Sequence, residues 1–222
     1  MAGSSPETSR PAPPSAPRLS AREARRLPLA LPGMRIGLMG GSFNPAHATH
    51  RAAALLAMKR LQLDFVWWLV TPGNPLKDNS SLPSLEERVA RARKVAHHPR
   101  IIATGCEALW GLHYTHETLK QLHRRLPGVQ FVWVMGADNL VQFNRWERWS
   151  DIAALMPIAV VDRAGASTAA LSAPAARALL PFRLPERAAA HLPGMKPPAW
   201  VFLHGLKSTE SSTRIRACAS QA

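Results

Sequence analysis

Two histidines three residues apart, His47 and His50, follow a pair of glycines, Gly40 and Gly41, in "GLMGGSFNPAHATH" (37–50). On the first turn of a helix, imidazoles at that spacing share one face beside the positive end of the helix dipole. There they can donate hydrogen bonds to phosphoryl oxygens. A second pair, His113 and His116 in "HYTH", has the same spacing, and four histidines could close a zinc site. The glycines favour phosphate, because a strand end without Cβ atoms lets an anion approach the backbone, and zinc has no use for them. The plainest alternative is a capped helix with two polar surface histidines. Asn44-Pro45 reads as an N-cap followed by proline at the first helical position.

These side chains need elements to hold them, and the apolar pattern supplies them. Continuous apolar runs of strand length recur as "RIGLMG" (35–40), "DFVWWLV" (64–70), "RIIATG" (100–105), "VQFVWVMG" (129–136), "PIAVVDR" (157–163) and "AWVFLHG" (199–205). Between them lie helix-like stretches such as "HRAAALLAMKRL" (50–61), "SLEERVARARKVA" (84–96, with Ser84 as N-cap) and "THETLKQLHRRL" (115–126). Unbroken apolar strands alternating with helices predict a parallel sheet covered on both faces. The expected fold is α/β: a Rossmann-like, doubly wound parallel sheet in three α/β/α layers. Ligands of such sheets gather at the carboxyl ends of the strands, where Gly40 and Gly41 lie.

Residues 1–33 are rich in Pro, Ala, Ser and Arg and are expected to form a disordered tail. The folded domain is expected to cover 34–222, with 165–198 a loop containing one weak helix. Arg25-Arg26 precede too short an apolar segment, broken by Pro28 and Pro32, to act as an export signal. No apolar run approaches the roughly 18 residues of a membrane helix. Cys106 and Cys218 form no CxxC pair, which fits a reducing, cytoplasmic setting. The 28 Lys and Arg against 14 Asp and Glu give a net charge of +14, which favours an anionic partner. No G-x-x-x-x-G-K-[ST] or G-x-G-x-x-G motif is present, so phosphates must be held another way.

"GGSFNPAHATH" resembles the G-x-F-x-P-x-H-x-x-H signature of nucleotidylyltransferases related to class I aminoacyl-tRNA synthetases. "SSTRIR" (211–216) resembles their second, phosphate-gripping motif. Thr49 stands where these enzymes commonly carry glycine. Three further segments, "TPGNPLK" (71–77), "YTHETL" (114–119) and "GADNLVQFNRWERW" (136–149), are similar to bacterial nicotinate-mononucleotide adenylyltransferases over roughly Met34 to Arg216. The resemblance implies transfer of the adenylyl group of ATP to nicotinate mononucleotide with Mg²⁺, giving deamido-NAD and pyrophosphate.

It also implies site residues. His47 and His50 would be catalytic donors to the α-phosphate. ATP would meet Gly40, Gly41, Ser42, Phe43, Gly136, Asp138, Arg163, Ser211, Ser212, Thr213, Arg214 and Arg216. The mononucleotide would meet Asn74, Lys77, Tyr114, Thr115 and Trp146, the last stacking on the pyridinium ring. Asp138 could equally cap a helix over 139–149, Trp146 could be core, and Arg163 could be a solvated surface residue. His113 replaces a residue that is usually small. Mg²⁺ is expected on the ATP phosphates and not on protein side chains. The chain ends soon after "SSTRIR", so a monomer or weak homo-oligomer is expected, with no nucleic-acid or membrane partner.

Nicotinamide mononucleotide and pantetheine phosphate are alternative acceptors. A nucleic-acid-binding protein on a Rossmann-like scaffold would also suit the charge, but the basic residues are scattered and form no recognisable module.

Overall fold

The computed structural model describes residues 19–73, 82–162 and 167–205. The expectations for Asn74, Lys77, Arg163, Ser211, Ser212, Thr213, Arg214 and Arg216, and for residues 1–18, lie outside the described residues.

The strands are β1 (Arg35–Gly41), β2 (Phe65–Val70), β3 (Ile101–Thr104), β4 (Gln130–Gly136), β5 (Ile158–Val161), β6 (Arg183–Leu184) and β7 (Trp200–Leu203). Among the described residues they form one seven-stranded sheet in the order β3-β2-β1-β4-β5-β7-β6, with every pair parallel. The helices are α1 (Ala21–Ala24), α2 (Ala48–Leu61), α3 (Leu85–Ala96), α4 (Thr115–Arg125), α5 (Ala137–Gln142), α6 (Trp149–Leu155), α7 (Ser167–Leu171) and α8 (Pro174–Ala178).

Successive side chains of a strand point to opposite faces, so an apolar run feeds two cores. In β2, Val66, Trp68 and Val70 enter one core while Trp67 and Leu69 enter the other. The first core is closed by α2, α3 and a 3-10 segment, Glu186–Gly194. The second is closed by α4, α5, α6, α7 and α8. This is the expected three-layer, doubly wound arrangement. Ser84 caps α3 as expected, its hydroxyl accepting the Glu87 N–H at 3.2 Å. Among the described residues no helix is long and apolar enough to cross a membrane.

Three expectations need correction. From residue 19 onward the N-terminal segment is not a disordered tail. Ser20 and Glu23 form a capping box for α1, and Ala24 is fully buried. The Gly105 N–H donates to the Ala24 carbonyl (2.7 Å), the Thr104 hydroxyl to the Arg26 carbonyl (2.7 Å), and Arg93 to the Glu23 carbonyl (2.9 Å). Backbone carbonyls hold this segment beside β3, and carbonyls leave no apolar periodicity to read. Second, 165–198 holds more than one weak helix: α7, α8, two 3-10 turns and the edge strand β6. Third, no continuous helix spans 139–149. Helix α5 begins at Ala137 with Gly136 as its N-cap, and a 3-10 turn (Phe143–Arg145) interrupts the chain where Phe143 becomes fully buried.

From β1 the chain first builds outward through β2 and β3, then returns to lay β4 against the other side of β1. The carboxyl ends of β1 and β4 therefore border the crevice where doubly wound sheets bind ligands.

Candidate active site

The turn after β1 is held by aromatic rings. Phe43 adopts a left-handed backbone (φ 47°) and is almost completely buried. Its ring stacks on Trp68 (5.0 Å between centroids, 16° between planes) and carries the His50 ring 4.9 Å away. His47 and His50 lie 3.9 Å apart, centroid to centroid. A residue in the left-handed region costs energy unless packing over-determines it, and here the Trp68 face does so.

The predicted cap is one turn feature too early. Asn44-Pro45 is a cis peptide, not N-cap and first helical residue, and the N-cap of α2 is His47, in extended geometry (φ −148°, ψ 170°). Burying Phe43 delays the helix start to Ala48. The consequence is chemical. The His47 N–H donates to Nδ1 of His50 at 3.3 Å, so that nitrogen must be unprotonated. A neutral imidazole then carries its proton on Nε2. With Nδ1 engaged as an acceptor, Nε2 is the ring nitrogen from which His50 can donate, in the first turn of a 14-residue helix.

The glycines divide. A Cβ on Gly40 would come within 2.5 Å of the Trp133 indole, whereas one on Gly41 would make ordinary contact with Phe43 at 3.5 Å. Gly40 is therefore required by packing against β4, whatever binds outside. The four histidines of the zinc alternative do not converge: among the described residues no group of three or more His, Cys, Asp or Glu side chains could hold a metal ion.

Gly136 ends β4, and Asp138 is exposed in the first turn of α5. Both thus stand across the crevice from Gly41. Trp146 is half-buried, with its indole edge-on to Trp133 (6.2 Å) and Phe143 (5.4 Å), so packing accounts for part of its surface. Tyr114 is the N-cap of α4 and Thr115 its first residue. The first N–H groups of a helix have no intrahelical acceptor, which leaves donors beside the exposed Tyr114 ring. His113 is exposed as well.

Two charged residues that the sequence leaves inconspicuous are buried around this crevice. Glu107, just beyond β3, accepts the Thr118 hydroxyl at 2.9 Å. Burial pushes its carboxyl up to about 7, against the pull of hydrogen bonds from Thr118 and Thr71. Its neighbour Cys106 is no nucleophile, since burial, with the Glu107 charge, raises its thiol to about 12. Arg88, on α3, is only 1% exposed. Its sequence setting is an amphipathic helix in which an arginine reads as surface. A buried charge has no one-residue signature, and only contacts reveal it.

The parallel α/β sheet places the histidine pair at a helix N-terminus beside its switch point, where ligands of such sheets gather. Residues 38–218 match the cytidylyltransferase-like family, and the chain belongs to that family. Its relatives include proteins named probable nicotinate-nucleotide adenylyltransferase. One from a Bradyrhizobium species is 60% identical over 183 residues, covering 82% of this chain and 95% of that protein. One from Methylorubrum extorquens is 55% identical, covering 82% and 99%. In fold, the chain is similar to Plasmodium falciparum nicotinic acid mononucleotide adenylyltransferase complexed with NaAD (TM-score 0.59, 16% identity, 83% of each chain). The same protein complexed with APC gives a TM-score of 0.60 at 15% identity, again over 83% of each chain.

Proposed function

We propose that this protein transfers the adenylyl group of ATP to nicotinate mononucleotide, giving deamido-NAD and pyrophosphate in NAD biosynthesis. The observation that carries the reading is the His47–His50 pair at the end of β1, with Nε2 the nitrogen from which His50 can donate. The likeness to relatives that bear the activity in their names, over 82% of the chain, supports the choice of substrates.

In this reaction a 5′-phosphate oxygen of the mononucleotide attacks the α-phosphorus of ATP. A new P–O bond forms, the bond to the β-phosphate bridge breaks, and its electron pair leaves with pyrophosphate. No side chain needs to be a covalent nucleophile, so the protein contributes position and charge stabilisation. His50, with His47, donates to the α-phosphate oxygens as charge develops on them. Asp138 accepts hydroxyls of the ATP ribose. Gly41, Ser42 and Phe43 line the nucleotide, and Arg163 with Ser211, Ser212, Thr213, Arg214 and Arg216 grips its phosphates. On the other side Asn74 and Lys77 hold the mononucleotide, Trp146 stacks on the pyridinium ring, and Tyr114 and Thr115 meet the carboxylate.

Mg²⁺ would be held through the ATP phosphates and not by protein side chains, and when bound it would supply neutralisation of phosphate charge. The protein is assigned to the cytoplasm, as a monomer or weak homo-oligomer.

The test is pyrophosphate release from ATP with a panel of acceptors. The acid mononucleotide should exceed the amide by roughly 10²-fold or more in kcat/KM, because sites built for a hydrogen-bonding group discriminate by roughly 10²- to 10⁵-fold. Equal values would remove Tyr114 and Thr115 from carboxylate recognition. Turnover of pantetheine phosphate alone would overturn the substrate assignment.

A further inference from the structure

Arg88, buried on α3, donates to four backbone carbonyls beside the crevice. Its Nε donates to the Pro83 carbonyl (2.9 Å), Nη1 to those of Ser42 (3.0 Å) and Thr71 (2.7 Å), and Nη2 to that of Pro72 (3.1 Å). One guanidinium thus ties three chain segments. Ser42 belongs to the turn that leads through Phe43 to the histidines. Thr71 and Pro72 follow the end of β2 and run into the segment of Asn74 and Lys77. Pro83 lies on the far side of that same segment.

All four acceptors are neutral carbonyls, and among the described residues Arg88 makes no ion pair. Burying a charge costs several kcal/mol, and the nearby Glu86 carboxylate offsets part of that cost. An apolar side chain would hold α3 to the sheet with less penalty. A rigid, planar fork of five donors does what no apolar residue can, because it fixes the distance and orientation between separate loops. Burial lowers the arginine's affinity for its proton, as expected of a cation away from water.

We propose that Arg88 is a positioning residue for adenylyl transfer: it sets the turn carrying Phe43 and the histidine pair against the β2-end loop, so that the two substrates meet in attacking geometry. The inference rests on the function proposed above. Each substrate retains its own loop when the fork is lost, whereas their mutual alignment does not survive. Misplacement by about 1 Å can lower a rate by roughly 10²-fold.

The experiment compares wild type with Arg88→Lys, which keeps the charge and loses the fork, and Arg88→Gln, which keeps some donors and loses the charge. Each is assayed well below its Tm with ATP and the best acceptor of the panel. The expected result is a kcat lower by about 10²-fold for Arg88→Lys, with KM for each substrate within about 3-fold. In a third variant, Arg88→Ala, added guanidinium at low millimolar concentration should restore part of kcat, and ammonium should not.

A folded Arg88→Lys with unchanged kcat and a lower Tm would overturn the proposal, leaving a structural arginine. Failure of both Arg88→Lys and Arg88→Gln to fold would overturn it in the same way. A wild type inactive on every acceptor would instead overturn the function on which it rests.

Discussion

The turn after β1 and the segment after β3 both lead from the carboxyl end of a strand into a helix N-terminus, α2 on one face of the sheet and α4 on the other, and opposite physics holds them. In the first, Phe43 stacks on Trp68 and carries the His50 ring, which also lies edge-on to Trp68 and against His47. In the second, a buried carboxyl, Glu107, is joined to Thr118 in the first turns of α4, which Tyr114 caps. The Phe43–Trp68 stack that anchors this turn contains no titratable group. The segment after β3 contains one, a carboxyl buried to a pKa of about 7. The contrast teaches that one side of the crevice is built to stay fixed while the other is coupled to a proton.

The largest effect expected is on the ring-held side. His50→Ala removes the Nε2–H donor and should lower kcat by about 10²- to 10³-fold, roughly 3–4 kcal/mol. KM for ATP should stay within a few-fold of the parent, because donors used mainly in the transition state contribute little to ground-state binding. Steady-state kinetics at several pH values check this. A fully active variant would remove the histidine pair from the mechanism.

The two regions also differ in how legible they are in the sequence. The histidines and glycines announce themselves by type and spacing, and the unbroken apolar strands predict a sheet buried on both faces. The local course of the turn does not follow from Asn44-Pro45, because cap propensity is a local preference and the burial of Phe43 against Trp68 overrides it. Gly40 is legible as a strand-end glycine, yet its neighbour, the Trp133 indole, belongs to a strand almost a hundred residues away. Arg88 stands among charged residues of α3 and looks like them, while Glu107 is a lone acidic residue in an apolar stretch. Their burial is a property of three-dimensional neighbours, as is the docking of residues 19–33 through backbone carbonyls.

The next effect tests the proton-coupled side. Burial raises the Glu107 pKa above that of the unfolded chain, so the folded state holds the proton more tightly. The stability that this contributes is complete below about pH 4.5 and is lost as pH rises through about 7. At pH 8 the wild type should have lost up to about 3 kcal/mol relative to pH 4 through this group. Glu107→Gln, neutral at every pH, should flatten that slope. Urea unfolding midpoints from pH 5 to 8 read the difference between the two proteins. Parallel profiles would show that Glu107 ionises in the fold as freely as in water.

The smallest effect isolates a single hydrogen bond. Thr118→Val exchanges a hydroxyl for a methyl of similar size, so packing in α4 changes little while the 2.9 Å donation to Glu107 disappears. The cost depends on the charge of the acceptor. With the carboxyl neutral, the loss should be near 1 kcal/mol; with it ionised, about 2 kcal/mol, because hydrogen bonds to charged groups are the stronger ones. The donation from Thr118 lowers the Glu107 pKa, so its removal must raise it further, and the pH at which stability falls should move upward. Two signatures follow: a deficit against wild type that widens with pH, and a displaced inflection. The double variant Thr118→Val with Glu107→Gln should show neither, and a deficit constant across pH would place the value of Thr118 in helix packing instead. Activity at pH 6 should change by less than a factor of about 3, since the Thr118 side chain is buried and its hydroxyl is spent on Glu107.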